Sequence, residues 1–308
     1  MANILIIQTR PGIGDLCIFL SSMHQIAKKN ENSNIFLLTK KRTQAKSILK
    51  DDNYIKNIFF IDRDEKNSKH SGIMGFFKLA NELKKFNFDK VYIMHSSLRY
   101  FLLGKFLGAK KVYSYGLIKS NKNISNKIFE VTKKWLLIND YPTNAEINLK
   151  INNNNSNNII IGIGSSGLTR RWSREKIISL INKINEKKRY TFFLVAGLNE
   201  KKLADGIIEE LDDKANVMSL CEKSIYDIML KIKNSKLYVG TDSAFMHISA
   251  ALQVKSFGLF GDTPVNYSEY SNFINPILPL GYKSISHDSN AMDKITVDHV
   301  FNCINDSI

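Results

Sequence analysis

Short apolar runs alternate along the chain with longer segments whose apolar residues recur at helical spacing, the pattern of βαβ units in a mostly parallel sheet. In the first half, strands are predicted at residues 4–8, 34–39, 58–61, 90–94 and 111–113. The first intervening helix carries Leu16, Phe19, Leu20, Met23, Ile26 and Ala27 on one face, with Lys28 and Lys29 at its C-terminal end. At residues 152–158 the sequence turns almost wholly to asparagine, with nothing apolar to bury, and reads as a linker or a solvated loop. The alternation then restarts, with strands predicted at 159–163, 190–195, 216–219, 237–239 and 256–260. The expected architecture is α/β, with two Rossmann-like domains at 1–155 and 156–308. In such a pair, ligand loops at the carboxyl ends of the strands are expected to face one another across a cleft. No short repeat period suggests a solenoid or propeller.

The length of 308 residues agrees with two domains, each large enough to bury a core without staples. Cys17, Cys221 and Cys303 are odd in number and widely spaced, which argues against a disulfide framework or a zinc site and for a reducing compartment. The longest apolar run near the N-terminus is Ile4 to Ile7, with no secretory pattern around it, and no stretch is long enough to span a bilayer. The expectation is a cytoplasmic protein. Lys and Arg outnumber Asp and Glu by 44 to 29, a formal charge of +15, which either marks an anionic partner or is compositional drift. Nucleic acid, anionic lipid and phosphorylated sugar would all be attracted.

Four motifs carry candidate chemistry. Gly12-Ile13-Gly14-Asp15 follows the first strand, where glycines permit a tight turn and a helix N-terminus favours negative charge. The third glycine of a dinucleotide fingerprint would fall on Cys17, so an NAD site is not supported. Asp15 is either the N-cap of the helix or a carboxylate held at a cleft mouth as a general base. Gly162-Ile163-Gly164-Ser165-Ser166-Gly167, followed by Thr169-Arg170-Arg171-Trp172, is either a phosphate cradle with an arginine fork or a flexible loop with Trp172 as a core anchor. In Val239-Gly240-Thr241-Asp242-Ser243-Ala244-Phe245-Met246-His247, Asp242 or Ser243 caps a helix whose N-terminus is a second source of phosphate donors. His247, one turn in, is either a packed histidine or a ligand. Leu259-Phe260-Gly261-Asp262-Thr263-Pro264 is a strand end entering a turn, where the Thr263 hydroxyl is available to a phosphate.

In this order and spacing the set resembles the bacterial ADP-heptose lipopolysaccharide heptosyltransferases, glycosyltransferase family nine, whose members have the GT-B fold. Residues 4–15 are similar to the family's opening strand and Gly-Asp loop. Residues 89–116, with His95-Ser96-Ser97-Leu98-Arg99 and Leu107-Gly108-Ala109, resemble its middle segment. Residues 164–172 resemble its phosphate loop, and 239–261 its D-[ST]-G-x-x-H stretch followed by a strand and an FG turn. The resemblance implies an acceptor domain at 1–155 and a donor domain at 156–308, with a final helix able to pack back on the N-terminal domain. It implies inverting transfer of a sugar, typically heptose, from a nucleotide sugar to a hydroxyl of an inner-core glycolipid, with no cofactor and no metal.

Carried over residue by residue, Asp15 falls on the family's general base. Ser165, Ser166 and Arg170 fall on phosphate contacts, and Asp242, Ser243 and Ala244 on the donor turn, completed by His247 and Thr263. Glu200 falls near the ribose position and Lys223 near the adenine position. Gly14, Lys40, Lys41, Arg42, His95 and Arg99 are the acceptor candidates, with solvated surface as the alternative for the basic ones. Four positions depart from the family: Arg170 stands for a lysine, Ala244 for a glycine, Gly261-Asp262-Thr263-Pro264-Val265 for the usual GPTDP turn, and Thr9 for a basic residue that recurs one place later as Arg10. The expected partners are a nucleotide sugar, an anionic glycolipid and the cytoplasmic membrane surface, with no nucleic acid, and the chain is expected to be monomeric. A nucleotide-sugar epimerase or hydrolase on the same fold and a non-catalytic polyanion-binding protein are the competing readings; the second lacks a helix-turn-helix, a zinc module or aromatic-interleaved basic strands.

Overall fold

The computed structural model describes residues 1–63, 68–115, 124–150, 157–165, 167–211 and 216–308. These fall into two compact units, Met1–Asn148 and Leu149–Ile308. Most of the asparagine-rich stretch, residues 151–156, lies outside the described residues, as does Ser166.

The first unit contains β1 (Ala2–Ile7), α1 (Ile13–Lys29), β2 (Ser33–Lys40), α2 (Ala45–Ile48), β3 (Ile55–Ile61), α3 (Gly72–Lys84), β4 (Lys90–Ile93), α4 (Leu98–Phe106), β5 (Lys111–Ser114) and α5 (Ile124–Leu136). Its sheet is parallel, in the order β3-β2-β1-β4-β5. β1 is central, so Ile4, Leu5, Ile6 and Ile7 are all buried, which explains an unbroken apolar run where a half-exposed strand would alternate. The six residues expected on the inner face of α1 are buried. Ser21 and Ser22 are buried too, against Pro142 and Tyr141 beyond α5, and His24 is buried against Asp52 and Tyr54. β3 begins at Ile55, earlier than the expected 58, and includes exposed Lys56 and Asn57, which an edge strand tolerates.

His24 Nε2 lies 2.7 Å from Asp52 Oδ2 in the interior, while Asp52 Oδ1 accepts from Tyr54 N at 2.9 Å and Ile55 N at 2.7 Å. Burial alone would raise the Asp52 carboxyl, but the hydrogen bond and charge of His24 and the two backbone donors outweigh it and hold it below the ordinary carboxylate range. A depressed native pKa contributes stability above the unfolded value, about 4, that is lost as pH falls through the native one. Asp52→Asn should therefore lower the urea midpoint at neutral pH by the equivalent of about 3 kcal/mol and flatten the acid limb of the stability curve.

The second unit contains β6 (Asn158–Gly162), α6 (Arg174–Lys187), β7 (Thr191–Val195), α7 (Lys201–Glu210), β8 (Val217–Ser219), α8 (Ile225–Lys233), β9 (Leu237–Thr241), α9 (Ala244–Ala251), β10 (Lys255–Leu259), β11 (Ile274–Ile277) and α10 (Val297–Ile304). The strands run parallel in the order β11-β10-β9-β6-β7-β8. β11 is a strand the apolar pattern misses: Asn275 and Pro276 interrupt it, and the edge position accommodates a residue with no backbone N–H. The final helix, α10, packs on α6, and its buried Val300 and Ile304 join the core of this unit with Ile177, Leu180, Ile181 and Ile184.

Candidate functional site

In each sheet the chain starts in one direction and then crosses to the other side of its first strand. The switch lies between β1 and β4 in the first unit and between β6 and β9 in the second. At such points the loops leaving the strand ends diverge and leave a crevice. Asp15 and His95 lie at the first, and Ser165, Asp242 and Ser243 at the second.

In the first unit, the residues leaving β1 meet those leaving β4: Thr9 Oγ1 lies 3.2 Å from His95 Nε2. Gly12, not Asp15, occupies the N-cap of α1. Asp15 sits at the third helical position and reaches back, its Oδ2 accepting from Gly12 N at 3.1 Å and its Oδ1 from Arg10 Nε at 2.6 Å. A Cβ on Gly12 would come 2.9 Å from that Oδ2, so the glycine makes room for the carboxylate. Asp15 remains partly open, at 18% side-chain exposure, and each oxygen retains a lone pair for a substrate proton. Gly14 lies beside it in the first turn.

Burial, with the charge of Arg10 adding to it, pushes His95 down to about 4, so its ring is neutral at neutral pH. His95 Nδ1, Gln8 Nε2 and the Tyr115 hydroxyl are all buried without a hydrogen-bond partner among the described residues. They follow β4, β1 and β5, respectively. Unsatisfied buried groups are costly and rare, which sets these three strand exits apart. Gln8 and Tyr115 were not among the sequence candidates; the one available signal is a polar side chain at the exit of an apolar strand.

The basic acceptor candidates are not gathered there. Lys40 ends β2, and Lys41 and Arg42 are exposed on the following 3-10 turn. Arg99 donates from Nη1 to Gly72 O and from Nη2 to His70 O, both at 2.8 Å, so its fork ties α4 to the start of α3.

In the second unit, β6 and β9 touch at two glycines. A Cβ on Gly162 would lie 1.9 Å from the Tyr238 hydroxyl, and one on Gly240 would lie 2.3 Å from Gly162 O. Thr241 Oγ1 donates to Gly164 O, and the Tyr238 hydroxyl donates to Thr241 O at 2.8 Å, so the two strand exits are tied together. Ser165 Oγ donates to Gly167 O at 2.6 Å, closing the loop after β6. Ser243 is the N-cap of α9 but makes no side-chain cap bond; its Oγ lies 3.3 Å from the Tyr238 hydroxyl. Helix geometry leaves the N–H groups of Ala244 and Phe245 without intrahelical partners.

Asp242 does not cap α9 either. Its Oδ1 lies 3.6 Å from His247 Nε2, while His247 Nδ1 lies 3.0 Å from the Tyr270 hydroxyl. His247 is buried, with one ring nitrogen on Tyr270 and the other facing Asp242. Thr263 is buried with its Oγ1 unpartnered among the described residues. Its neighbour Asp262 accepts from Thr169 Oγ1 at 2.6 Å and Asn290 N at 2.8 Å. Burial would raise that carboxyl; the two donors and the charges of Arg170 and His287 hold it low. This anchoring role for Asp262 is invisible in the sequence because its partners are 93 and 28 residues away.

Arg170 sits on the 3-10 turn Leu168–Arg170 with Nη2 3.4 Å from His287 Nδ1. Trp172 is a core anchor, buried and donating to Ile295 O at 3.0 Å. Glu200 follows β7 and pairs with Arg171 at 3.5 Å, and Lys223 is exposed on the loop after β8. Among the described residues, no group of three or more His, Cys, Asp or Glu side chains could hold a metal ion.

Two parallel α/β units, each with its polar residues at the switch of its sheet, define the GT-B class. Residues 139–277 match the family model described as glycosyltransferase family 9 (heptosyltransferase), which covers the resemblance read at 164–172 and 239–261. A lipopolysaccharide heptosyltransferase 1 from Campylobacter coli is 30% identical over 132 residues, which are 42% of this chain and 39% of that protein. The matched stretch therefore spans well under half of the curated relative. A glycosyltransferase family 9 structure from Veillonella parvula aligns over 99% of this chain and 97% of its own, with TM-score 0.81 and 14% identity. The E. coli heptosyltransferase WaaC with ADP aligns over 99% and 100%, with TM-score 0.78 and 14% identity. Likeness at such identity shows the fold.

Proposed function

We propose that this chain is an inverting glycosyltransferase that moves heptose from ADP-heptose to a hydroxyl of a lipopolysaccharide inner core, at the cytoplasmic face of the membrane. The observation that carries this reading is the tied pair of strand exits at β6 and β9, with Arg170, the Thr263 hydroxyl and the α9 N-terminus around it, inside the segment that matches the family. Such groups suit a diphosphate.

In the proposed reaction, Asp15 takes the proton of the acceptor hydroxyl. The hydroxyl oxygen attacks the anomeric carbon on the side opposite the diphosphate, the bond from that carbon to ADP oxygen breaks, and its electron pair leaves with ADP. Arg170 and backbone N–H groups stabilise the charge growing on the diphosphate, fixed dipoles doing this without a metal. Glu200 and Lys223 are proposed contacts to ribose and adenine. Gln8, His95 and Tyr115 join Gly14 and Asp15 as proposed polar contacts to the acceptor sugar.

A thermal-shift panel of ADP, GDP and UDP tests the donor assignment. ADP should raise the melting temperature most, and Arg170→Ala should weaken ADP binding by roughly 10- to 100-fold, the value of a charged hydrogen bond. A stronger response to UDP or GDP, or none to any nucleotide, would remove ADP-heptose from the reading.

A further inference from the structure

The first unit carries an exposed apolar face that its own core does not use. On α3, Ile73 is 77% exposed and Met74 85%, followed one turn on by exposed Phe77. On α4, Leu98, Leu102 and Phe106 recur every four residues, so they form one stripe, and all three are exposed. The stripes meet: the Phe106 ring lies 5.6 Å from Phe77 and 6.0 Å from Phe76. At the other end, the Arg99 bonds to His70 and Gly72 pin the first turn of α4 to the start of α3. Soluble proteins rarely leave so continuous an apolar face open to water.

Among the described residues, the charge on these two helices is mostly basic. Lys78, Lys84, Lys85 and Lys105 are exposed on or beside the two helices, and Lys84 Nζ lies 5.6 Å over the Phe106 ring. Glu82 is the one acidic residue in the sequences of α3 and α4, and its carboxylate is already engaged by Lys69 at 2.7 Å and His70 at 3.2 Å. Lysine is depleted at protein interfaces, and a second copy of this face would set like charges against each other. A bilayer interface accepts the same combination, with apolar side chains below the headgroups and lysine stems reaching up to phosphates.

We propose that the α3/α4 face docks this protein onto a bilayer of anionic phospholipid. The helices have 13 and 9 residues, too short to cross, so they lie in the interface plane. The inference deepens the reading above, in which the acceptor is lipid-borne, and names the surface that brings the enzyme to it.

Flotation of the whole protein with phosphatidylglycerol/phosphatidylcholine vesicles, and with phosphatidylcholine alone, tests it. The wild type should bind the anionic vesicles at least about tenfold more tightly than the neutral ones. The triple variant Ile73→Ser, Met74→Ser, Leu102→Ser and the double variant Lys78→Glu, Lys105→Glu should each lose about tenfold or more of that binding, with melting temperature and ADP binding retained. The proposal is overturned if the wild type ignores vesicles, if it binds neutral and anionic vesicles equally, if neither variant loses binding, or if the wild type is a dimer in light scattering that the triple variant converts to a monomer. No sugar donor is present, so a failure here is separate from a failure of the transfer reaction.

Discussion

Asp15→Asn is expected to lower heptose transfer by about a hundred- to ten-thousand-fold, the usual contribution of a positioned general base, while ADP binding is retained. Asparagine keeps an oxygen for Gly12 N or for Arg10, so the helix start, which Asp15 closes from its third position, should survive. Asp15→Ala removes both contacts and should lose the same activity with a further cost of about 1 kcal/mol in stability. The pair separates chemistry from capping. Turnover by Asp15→Asn at the wild-type rate would leave Asp15 a capping residue and nothing more.

Gly240→Ala should cause the largest loss of stability in the second unit, about 3 kcal/mol in urea unfolding, and should abolish nucleotide binding with it. The added Cβ would lie 2.3 Å from Gly162 O and 2.5 Å from its Cα and N, all backbone atoms that cannot turn aside. The φ of 156° at Gly240 is also one that L side chains rarely adopt. The only relief is to part β6 from β9, which opens the tie from Thr241 to Gly164. Gly167→Ala is the local control: its Cβ meets nothing within 4 Å and its φ of −166° is ordinary extended backbone. Equal urea midpoints for the two variants would contradict the role given to the β6/β9 contact.

The alternation of apolar runs was enough to place ten of the eleven strands among the described residues, because a parallel sheet buried on both faces writes each central strand as an unbroken apolar segment. β11 and the start of β3 escaped for one reason: edge strands admit Pro276, Lys56 and Asn57, which read as turn or surface. Candidate residues within one loop were legible as such. Asp15, Ser165, Arg170 and Ser243 lie where a strand gives way to a helix, and that transition is visible as a change of period. Roles that depend on distant partners were not. The commitment of Arg99 to the carbonyls before α3, the chain from Asp242 through His247 to Tyr270, and the anchoring of three segments by Asp262 each join residues with no mark in local sequence. The unpartnered Gln8, His95 and Tyr115 emerge only once sheet order places their strands side by side.

The charge of +15 takes on a location in the same way. As composition it fits any anion; on α3 and α4 it borders an exposed apolar face, the surface proposed above to meet anionic lipid. The candidate donor loops of the second unit use a different part of it, at Arg170 and Arg171, with Arg171 held by Glu200. The two proposals, diphosphate recognition and lipid attraction, therefore predict separate mutational effects.

The most direct test of the central claim is to follow ADP-heptose labelled in the sugar with the purified protein, with and without a truncated lipopolysaccharide acceptor. The account predicts label transferred to the acceptor with one ADP released per heptose moved, in the configuration opposite to that of the donor, and no consumption of donor when acceptor is absent. Release of free heptose or an epimer without acceptor would contradict it, as would the absence of transfer by a protein that binds ADP.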